Sequence, residues 1–414
     1  MENETILNSV MNYAYKNPVR FHMPGHKGKN IEQFDVTELK DTDNLYDPQK
    51  DGIVYQSFEY AKSIYKTANT IFSAGGATLA LQAAIATVVK RGKRIICDRK
   101  CHKSVVNAMI LCGVEPIWVY DFDNLPAADG MIITSPNYYG EMFEMPKKHD
   151  MLLICDNSHG SHLAWWDSHP YQMGADIVID SIHKTLPALT GAALLHANEK
   201  FTTEELLSSL RLFASTSPSY LISSSICVCL QYMEANGRKQ LEELHQKIIN
   251  LKIILREFGY GVASFKIEDP FRVCIHINNA EKFYNYLYEN NIVCEFYDVD
   301  NVILIPSIMN TDEDFYKLID CCIRYKPEKC EKADYNFELP LVAMNLREAS
   351  FSSNTTVAID NALNCICGEI YAPYPPGIPV IMPGEIFNEE IINFLKASKY
   401  EYVKIVKEKE KNKL

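Results

Sequence analysis

No apolar run in this chain reaches the roughly 18 consecutive residues that a bilayer-spanning helix needs, and the N-terminus lacks the charged-then-apolar pattern of a secretory leader. The expectation is a soluble, cytoplasmic protein with no membrane partner. Basic clusters are missing too. The chain carries 41 Lys and Arg against 53 Asp and Glu, a net charge of -12. Its one basic stretch, Lys404-Ile405-Val406-Lys407-Glu408-Lys409, is broken by acid, so nucleic acid is not an expected partner. Thirteen cysteines are scattered rather than paired. Cys97 and Cys101 stand close together, but no second pair lies at zinc-ligand spacing. Cys155, Cys227, Cys229, Cys274, Cys321 and Cys322 sit inside apolar runs. These read as buried thiols of a reducing compartment, and no metal is expected.

What is present points to a large α/β enzyme. With 414 residues, 47% of them hydrophobic, the chain has material for more than one domain. Residues 1–45 are turn-rich and read as an N-terminal arm. From 46 to 237, short apolar runs alternate with helical patterns: Arg94 to Cys97, Pro116 to Tyr120, Met131 to Thr134, Met151 to Cys155, Ile177 to Ile179 and Ala192 to His196. Runs that are polar only at their ends suit a mostly parallel sheet covered by helices. A helical stretch from Pro218 to Asn236, resuming at Arg238, leads into a smaller α+β lobe over 238–328. That lobe reads as strand (Phe271 to Ile277), helix (Ala280 to Asn290), strand (Asn301 to Ile305) and helix (Asp312 to Tyr325). Residues 329–414 form a last segment around Tyr374-Pro375-Pro376-Gly377.

In open α/β sheets chemistry sits at the carboxyl ends of the strands, and four segments place unusual polar residues there. Gly75-Gly76-Ala77-Thr78 precedes a helical run, so the backbone of Gly76 and Ala77 and the hydroxyl of Thr78 suit a phosphate held at a helix N-terminus. Taken alone it is also an ordinary turn. His102, in Asp98-Arg99-Lys100-Cys101-His102, is a flat partner for an aromatic cofactor, or else part of a charged surface loop. Asp156, in Asp156-Asn157-Ser158-His159, is a carboxylate that needs a cation, and a protonated pyridine nitrogen is one. His159 would then reach the phenolic oxygen of the same ring. The bland alternative is a helix cap. In Asp180-Ser181-Ile182-His183-Lys184, a lysine at the end of a buried strand suits a desolvated nucleophilic amine. Ser181 and His183 would contact phosphate. Together these residues predict pyridoxal 5′-phosphate (PLP), held as a Schiff base on Lys184.

With these segments in order, the chain resembles the bacterial ornithine/lysine/arginine decarboxylases, PLP enzymes of the aspartate-aminotransferase fold type I. The resemblance takes in Phe21-His22-Met23-Pro24-Gly25-His26-Lys27, Gly75 to Thr78, His102-Lys103-Ser104, Ser135-Pro136-Asn137-Tyr138-Tyr139-Gly140, Asp156 to Gly160 and Ser181 to Leu186. It continues through Ser215-Thr216-Ser217-Pro218 and Tyr374 to Pro379 to Pro383-Gly384-Glu385. It implies Lys184 as the lysine that bears the cofactor, Asp156 on the pyridine nitrogen and His102 on the ring face. Gly76, Ala77, Thr78, Ser181 and His183 would take the phosphate. It also implies homodimers with sites at the interface, where the arm that holds His22 and His26 and the Ser215 to Ser217 stretch would serve the neighbouring subunit's site. The distal cation of a basic amino acid calls for a carboxylate, and Glu385, after the rigid Pro383-Gly384 pair, is the candidate, or else an exposed glutamate of the surface. Three departures stand out: Ala77 where a hydroxyl residue is usual, Asn157-Ser158 where Glu-Ala is usual, and Asn364-Cys365 where Gly-Arg is usual. Other fold type I chemistry stays open, transamination above all, with Arg272 or Arg347 for the α-carboxylate. So does a PLP-binding protein that has lost its activity.

Overall fold

The computed structural model describes residues 5–16, 20, 26–27, 34–36, 44–123, 125–145, 151–327, 338–373 and 378–407. His22, most of the arm and the Pro-Pro-Gly stretch at 374–377 lie outside them.

The large domain is a seven-stranded sheet. Its strands are β1 (Asn69–Ser73), β2 (Arg94–Asp98), β3 (Glu115–Val119), β4 (Gly130–Thr134), β5 (Leu152–Asp156), β6 (Ile177–Asp180) and β7 (Ala193–Ala197). They lie in the order β1-β7-β6-β5-β4-β2-β3. Pairs among β2 to β6 are parallel, and β7 runs antiparallel to both neighbours. Successive residues of one strand serve opposite faces. Ile95, Cys97, Ile132, Ile154, Ile177 and Ile179 join the main core, while Ile96, Met131, Ile133, Leu153, Cys155 and Val178 meet Phe122, Leu125, Met145 and Tyr171 on the other side. Burial on both faces is why these strands read as unbroken apolar runs.

The helices are α1 (Ile6–Lys16), α2 (Ile53–Tyr65), α3 (Gly76–Val89), α4 (Lys103–Cys112), α5 (Thr203–Leu210) and α6 (Tyr220–Glu257). Two expectations are corrected here. The arm is not wholly irregular, because Ile6, Val10 and Ala14 recur at helical spacing and bury one side of α1, which packs on α6. Nor does α6 break at Gly237. The helix runs through it, and a Cβ there would stand 3.1 Å from Trp165 Cδ1, so the glycine provides room for close packing.

The small lobe is a four-stranded antiparallel sheet of β8 (Gly261–Val262), β9 (Val273–His276), β10 (Phe296–Tyr297) and β11 (Asn301–Leu304), with α7 (Ala280–Glu289) and α8 (Asp312–Arg324). Capping residues fix both helices: Asn279 accepts the Lys282 N–H, and Thr311 forms a reciprocal box with Asp314. The last segment holds α9 (Leu346–Phe351), β12 (Asn354–Ala358), α10 (Glu389–Ala397) and β13 (Tyr402–Val406). It has an apolar cluster of its own around Ile381, Phe387, Ile391 and Leu395. The charged tail of the sequence is thus β13 as far as Val406, paired with β12.

Candidate active site

Three strand ends supply the site. β5 ends at Asp156 and β6 at Asp180, and after Asp180 a tight turn over Ile182–Lys184 lifts the lysine side chain. Lys184 Nζ lies 3.2 Å from His159 Nε2. Burial pulls the lysine below its ordinary value, opposed by the fields of Asp156 and Glu295 and assisted by Arg272. His159 is pushed well below the usual histidine range, first by burial and then by Lys184 and Arg272, so its ring is neutral. A neutral imidazole next to a depressed lysine leaves the amine free to act as a nucleophile.

His102 caps α4, its Nδ1 accepting the Ser104 N–H at 3.2 Å. With Nδ1 so engaged, the neutral ring carries its proton on Nε2. Burial lowers its pKa, with Asp156 opposing and Lys184 adding to the fall. Tyr138 stands between the two histidines, its ring centroid 6.3 Å from His102 and 4.9 Å from His159. Asp156, 3% exposed, accepts from the Ser158 N–H and hydroxyl, both on Oδ1. The sequence expectations for Lys184, Asp156, His102 and His159 thus converge on one place.

The segment Gly75 to Thr78 turns from β1 into α3. Gly76 sits at φ +72°, a conformation that favours glycine, and its N–H bonds the Gly191 carbonyl at 2.9 Å. No side chain caps α3, so the N–H groups of its first turn, at Ala77 and Thr78, are left for another acceptor. In the Lys184 turn, Ser181 is buried and His183 half-buried. Several buried polar atoms of this region have no partner among the described residues, including His159 Nδ1, Asn157 Oδ1, Thr185 Oγ1, and Arg272 Nε and Nη1. A buried polar atom without a partner is costly, and the donors among these, with the lysine and aspartate beside them, fit an anionic, hydrogen-bonding aromatic cofactor such as PLP.

Arg272, a sequence candidate for the α-carboxylate, makes a buried structural pair and still has donors to spare. It lies just before β9, 3% exposed, with Nη2 donating to the His159 carbonyl at 3.3 Å and lying 3.8 Å from Asp269. Asp269 in turn takes the His162 Nε2 contact at 3.0 Å. Gly140 makes room for Arg272: a Cβ on the glycine would stand 2.5 Å from the arginine Cβ. Arg347 is elsewhere, donating to the Ile110 and Leu111 carbonyls at the end of α4.

One further expectation changes. Glu385 does not open onto the site. Its carboxylate is 2% exposed, both oxygens are held by Arg99 at 2.5 and 2.9 Å, and Met382 N–H adds 2.8 Å. A carboxylate so fully paired is a poor receiver for a substrate cation. His26 contacts Asp35 at 3.2 Å. Behind the site, His169, Asp180 and His196 form a buried group at metal-ligand spacing. The Tyr171 N–H meets His169 Nδ1 at 3.4 Å, which assigns the ring proton to Nε2, so the 3.0 Å contact to Asp180 is a hydrogen bond.

The Orn/Lys/Arg decarboxylase major-domain family matches residues 5–127 and 123–273, and the family's C-terminal domain matches 332–404. An arginine decarboxylase of Halalkalibacterium halodurans is 26% identical over 462 residues, covering 95% of this chain and 93% of that protein. An arginine decarboxylase of Bacillus subtilis is 26% identical over 450 residues, covering 92% and 91%. The solved lysine decarboxylase of Francisella novicida shares the fold, with a TM-score of 0.84 at 18% identity over 98% of this chain and 81% of that one.

A lowered lysine keeps a larger neutral fraction at any given pH, so in cofactor-free protein Lys184 reacts with formaldehyde and borohydride at lower pH than exposed lysines. Mass spectrometry of the labelled peptides across a pH series reads this, and labelling of Lys184 in step with exposed lysines contradicts it.

Proposed function

Because the chain belongs to the Orn/Lys/Arg decarboxylase family, a family of PLP-dependent carboxy-lyases, we propose that it releases the α-carboxyl group of a basic amino acid as CO2 and yields the corresponding amine. The observation that carries this reading is the meeting of a desolvated lysine, a neutral histidine and a buried aspartate at adjoining strand ends. Bound PLP supplies a protonated ring that accepts the electron pair left when the carboxylate departs. Asp156 would keep the proton on the ring nitrogen, Lys184 would carry the cofactor, and His102 would meet its ring. Gly76, Ala77, Thr78, Ser181 and His183 would hold its phosphate, with Ala77 offering a backbone N–H in place of a hydroxyl, and His159 would hydrogen-bond its ring oxygen. Lys184 Nζ, 3.2 Å from His159, would return to the α-carbon the proton that the substrate's ammonium group gives up on binding, with His102 as the second candidate.

The side chain of a basic substrate calls for a carboxylate, and Glu295 takes the place first given to Glu385. It is an exposed side chain of the small lobe, and its field raises both Lys184 and Arg272. Arginine is the first substrate to test, given the names of the sequence relatives. The working unit is a homodimer with sites at its interface. This reading is supported by the exposed apolar side chains of Leu189, which follows the Lys184 turn, and Leu212, beside the exposed Ser215–Ser217 stretch. His22 and His26 of the arm then serve the neighbouring site. The free thiols at every described cysteine suit a cytoplasmic enzyme that feeds polyamine synthesis.

Arg272 carries a second reading. Its buried, unpartnered Nε and Nη1 suit an arginine that holds an α-carboxylate, which transamination keeps on the substrate.

The purified protein with PLP and arginine, lysine or ornithine separates the readings. CO2 and amine without keto acid is the expected result; keto acid made with an acceptor supports transamination, and neither product with PLP retained supports a binding protein. Lys184→Ala should lower kcat by roughly four orders of magnitude or more, and Glu295→Gln should raise KM for the accepted substrate more than it lowers kcat.

A further inference from the structure

We propose that the C-terminal segment is a clamp on the active site, with Glu385 acting through Arg99, and Arg347 at the far end, to position His102. The inference rests on the reading of His102 as the residue against the cofactor ring.

The acidic arm of the clamp is rigid within its own domain. Gly384 adopts φ +91°, and a Cβ there would meet the Met344 carbonyl oxygen at 2.2 Å, so only glycine allows this turn. The Glu385 N–H bonds Met382 O at 3.1 Å, Cys367 N–H bonds Glu385 O at 2.7 Å, and Met382 N–H holds the carboxylate at 2.8 Å. The carboxylate therefore arrives at Arg99 already oriented.

Arg99 answers with both terminal nitrogens, at 2.5 and 2.9 Å, and donates a further bond to the Val380 carbonyl at 2.9 Å. Its guanidinium lies 5.6 Å from the Trp118 ring centroid. Each partner is about 2% exposed. In so dry a place, removing one charge leaves the other uncompensated, so the pair responds strongly to loss of either.

From Arg99 to His102 the chain has no slack. The Arg99 N–H is tied to Val119 O at 2.8 Å, Lys100 N–H to Asp98 Oδ1 at 2.8 Å, and Cys101 N–H to Asp98 O at 3.1 Å. His102 follows at once as the N-cap of α4. At the other end of α4, Arg347 Nη1 donates to the carbonyls of Ile110 and Leu111, each at 2.6 Å. The Ile110 carbonyl also accepts the N–H of the C-cap residue Gly113 at 3.4 Å, and a cation at this end meets the negative end of the helix dipole. The C-terminal segment thus holds the His102 helix at both ends. Neither Glu385, Arg99 nor Arg347 is a catalytic residue in this account; all three position one that is.

The test is a double-mutant cycle on the full-length protein. Glu385→Gln, His102→Ala and the double variant are compared by PLP affinity, read from the cofactor's visible absorbance, by the pH midpoint of that band, and by Tm. Glu385→Gln should weaken PLP binding by roughly tenfold and shift the band midpoint in the same direction as His102→Ala. In the His102→Ala background it should change PLP affinity by less than about twofold, while its cost in Tm stays the same. Equal weakening in both backgrounds, or no weakening in the first, overturns the proposal. If Glu385→Gln does not fold, Arg347→Met, an exposed residue at the other grip, should show the same dependence on His102 at smaller amplitude, and additivity there overturns it equally. Because the readout is cofactor binding, absence of CO2 from every basic amino acid would sink the proposed function and leave this result standing.

Discussion

A carboxylate with no water around it must be answered by the protein, and the molecule is organised around one that is. Asp180 is fully buried at the end of β6. Asn157 of the β5 turn donates to Oδ1 at 2.5 Å, His169 meets Oδ2 at 3.0 Å, and His196 of β7 lies 3.4 Å from it. These partners more than offset the burial and hold its carboxyl below the usual range. The network extends to β1, where Thr70 Oγ1 is 2.8 Å from His196 Nδ1. Four adjacent strands are therefore cross-linked by polar side chains under the site. Leaving such a group half-satisfied would cost several kcal/mol, so the strand ends have little freedom to shift past one another. Asn157, in the place where a glutamate is usual in the resembling family, is a neutral donor that suits a neighbouring carboxylate.

That constraint sets up the chemistry. Asp156 precedes Asn157, and Lys184 lies four residues beyond Asp180, so the hub fixes the two side chains that the proposed function sets at opposite ends of one aromatic ring. The surroundings then divide the labour by desolvation. Lys184 and His159 are both driven toward their neutral forms, while Asp156 keeps a hydroxyl and an N–H on one oxygen. Nothing in the scaffold itself names the amino acid to be used. The charges that the small lobe brings to bear on the lysine are those of Arg272, which lowers it, and Glu295, which raises it.

Much of this was legible in the sequence, for a physical reason. Parallel strands buried on both faces leave an apolar run with polar residues only at the carboxyl end, so β2 and β6 were placed within one residue of their observed ends and the reactive residues with them. β1 escaped notice because Asn69 and Thr70 make its first half polar, and the threonine makes sense only once His196 is known to lie beside it. Gly237 read as a break because glycine weakens an isolated helix, whereas its reason is Trp165. The role of Glu385 was beyond a linear reading: its partner Arg99 is 286 positions away, and nothing local distinguishes a carboxylate waiting for substrate from one already paired. Arg272 could be named from sequence only as one of two arginines, because its half-filled set of partners, the His159 carbonyl and Asp269 on one nitrogen and none on Nε and Nη1, comes from distant parts of the chain.

The claim on which the rest turns is that one lysine, Lys184, bears the cofactor. The direct measurement is borohydride reduction of the PLP-loaded protein, followed by proteolysis and mass spectrometry of every lysine-containing peptide. The account predicts a single pyridoxyl adduct, on the peptide carrying Lys184. An adduct on another lysine, or cofactor bound with no reducible link to the chain, would contradict it.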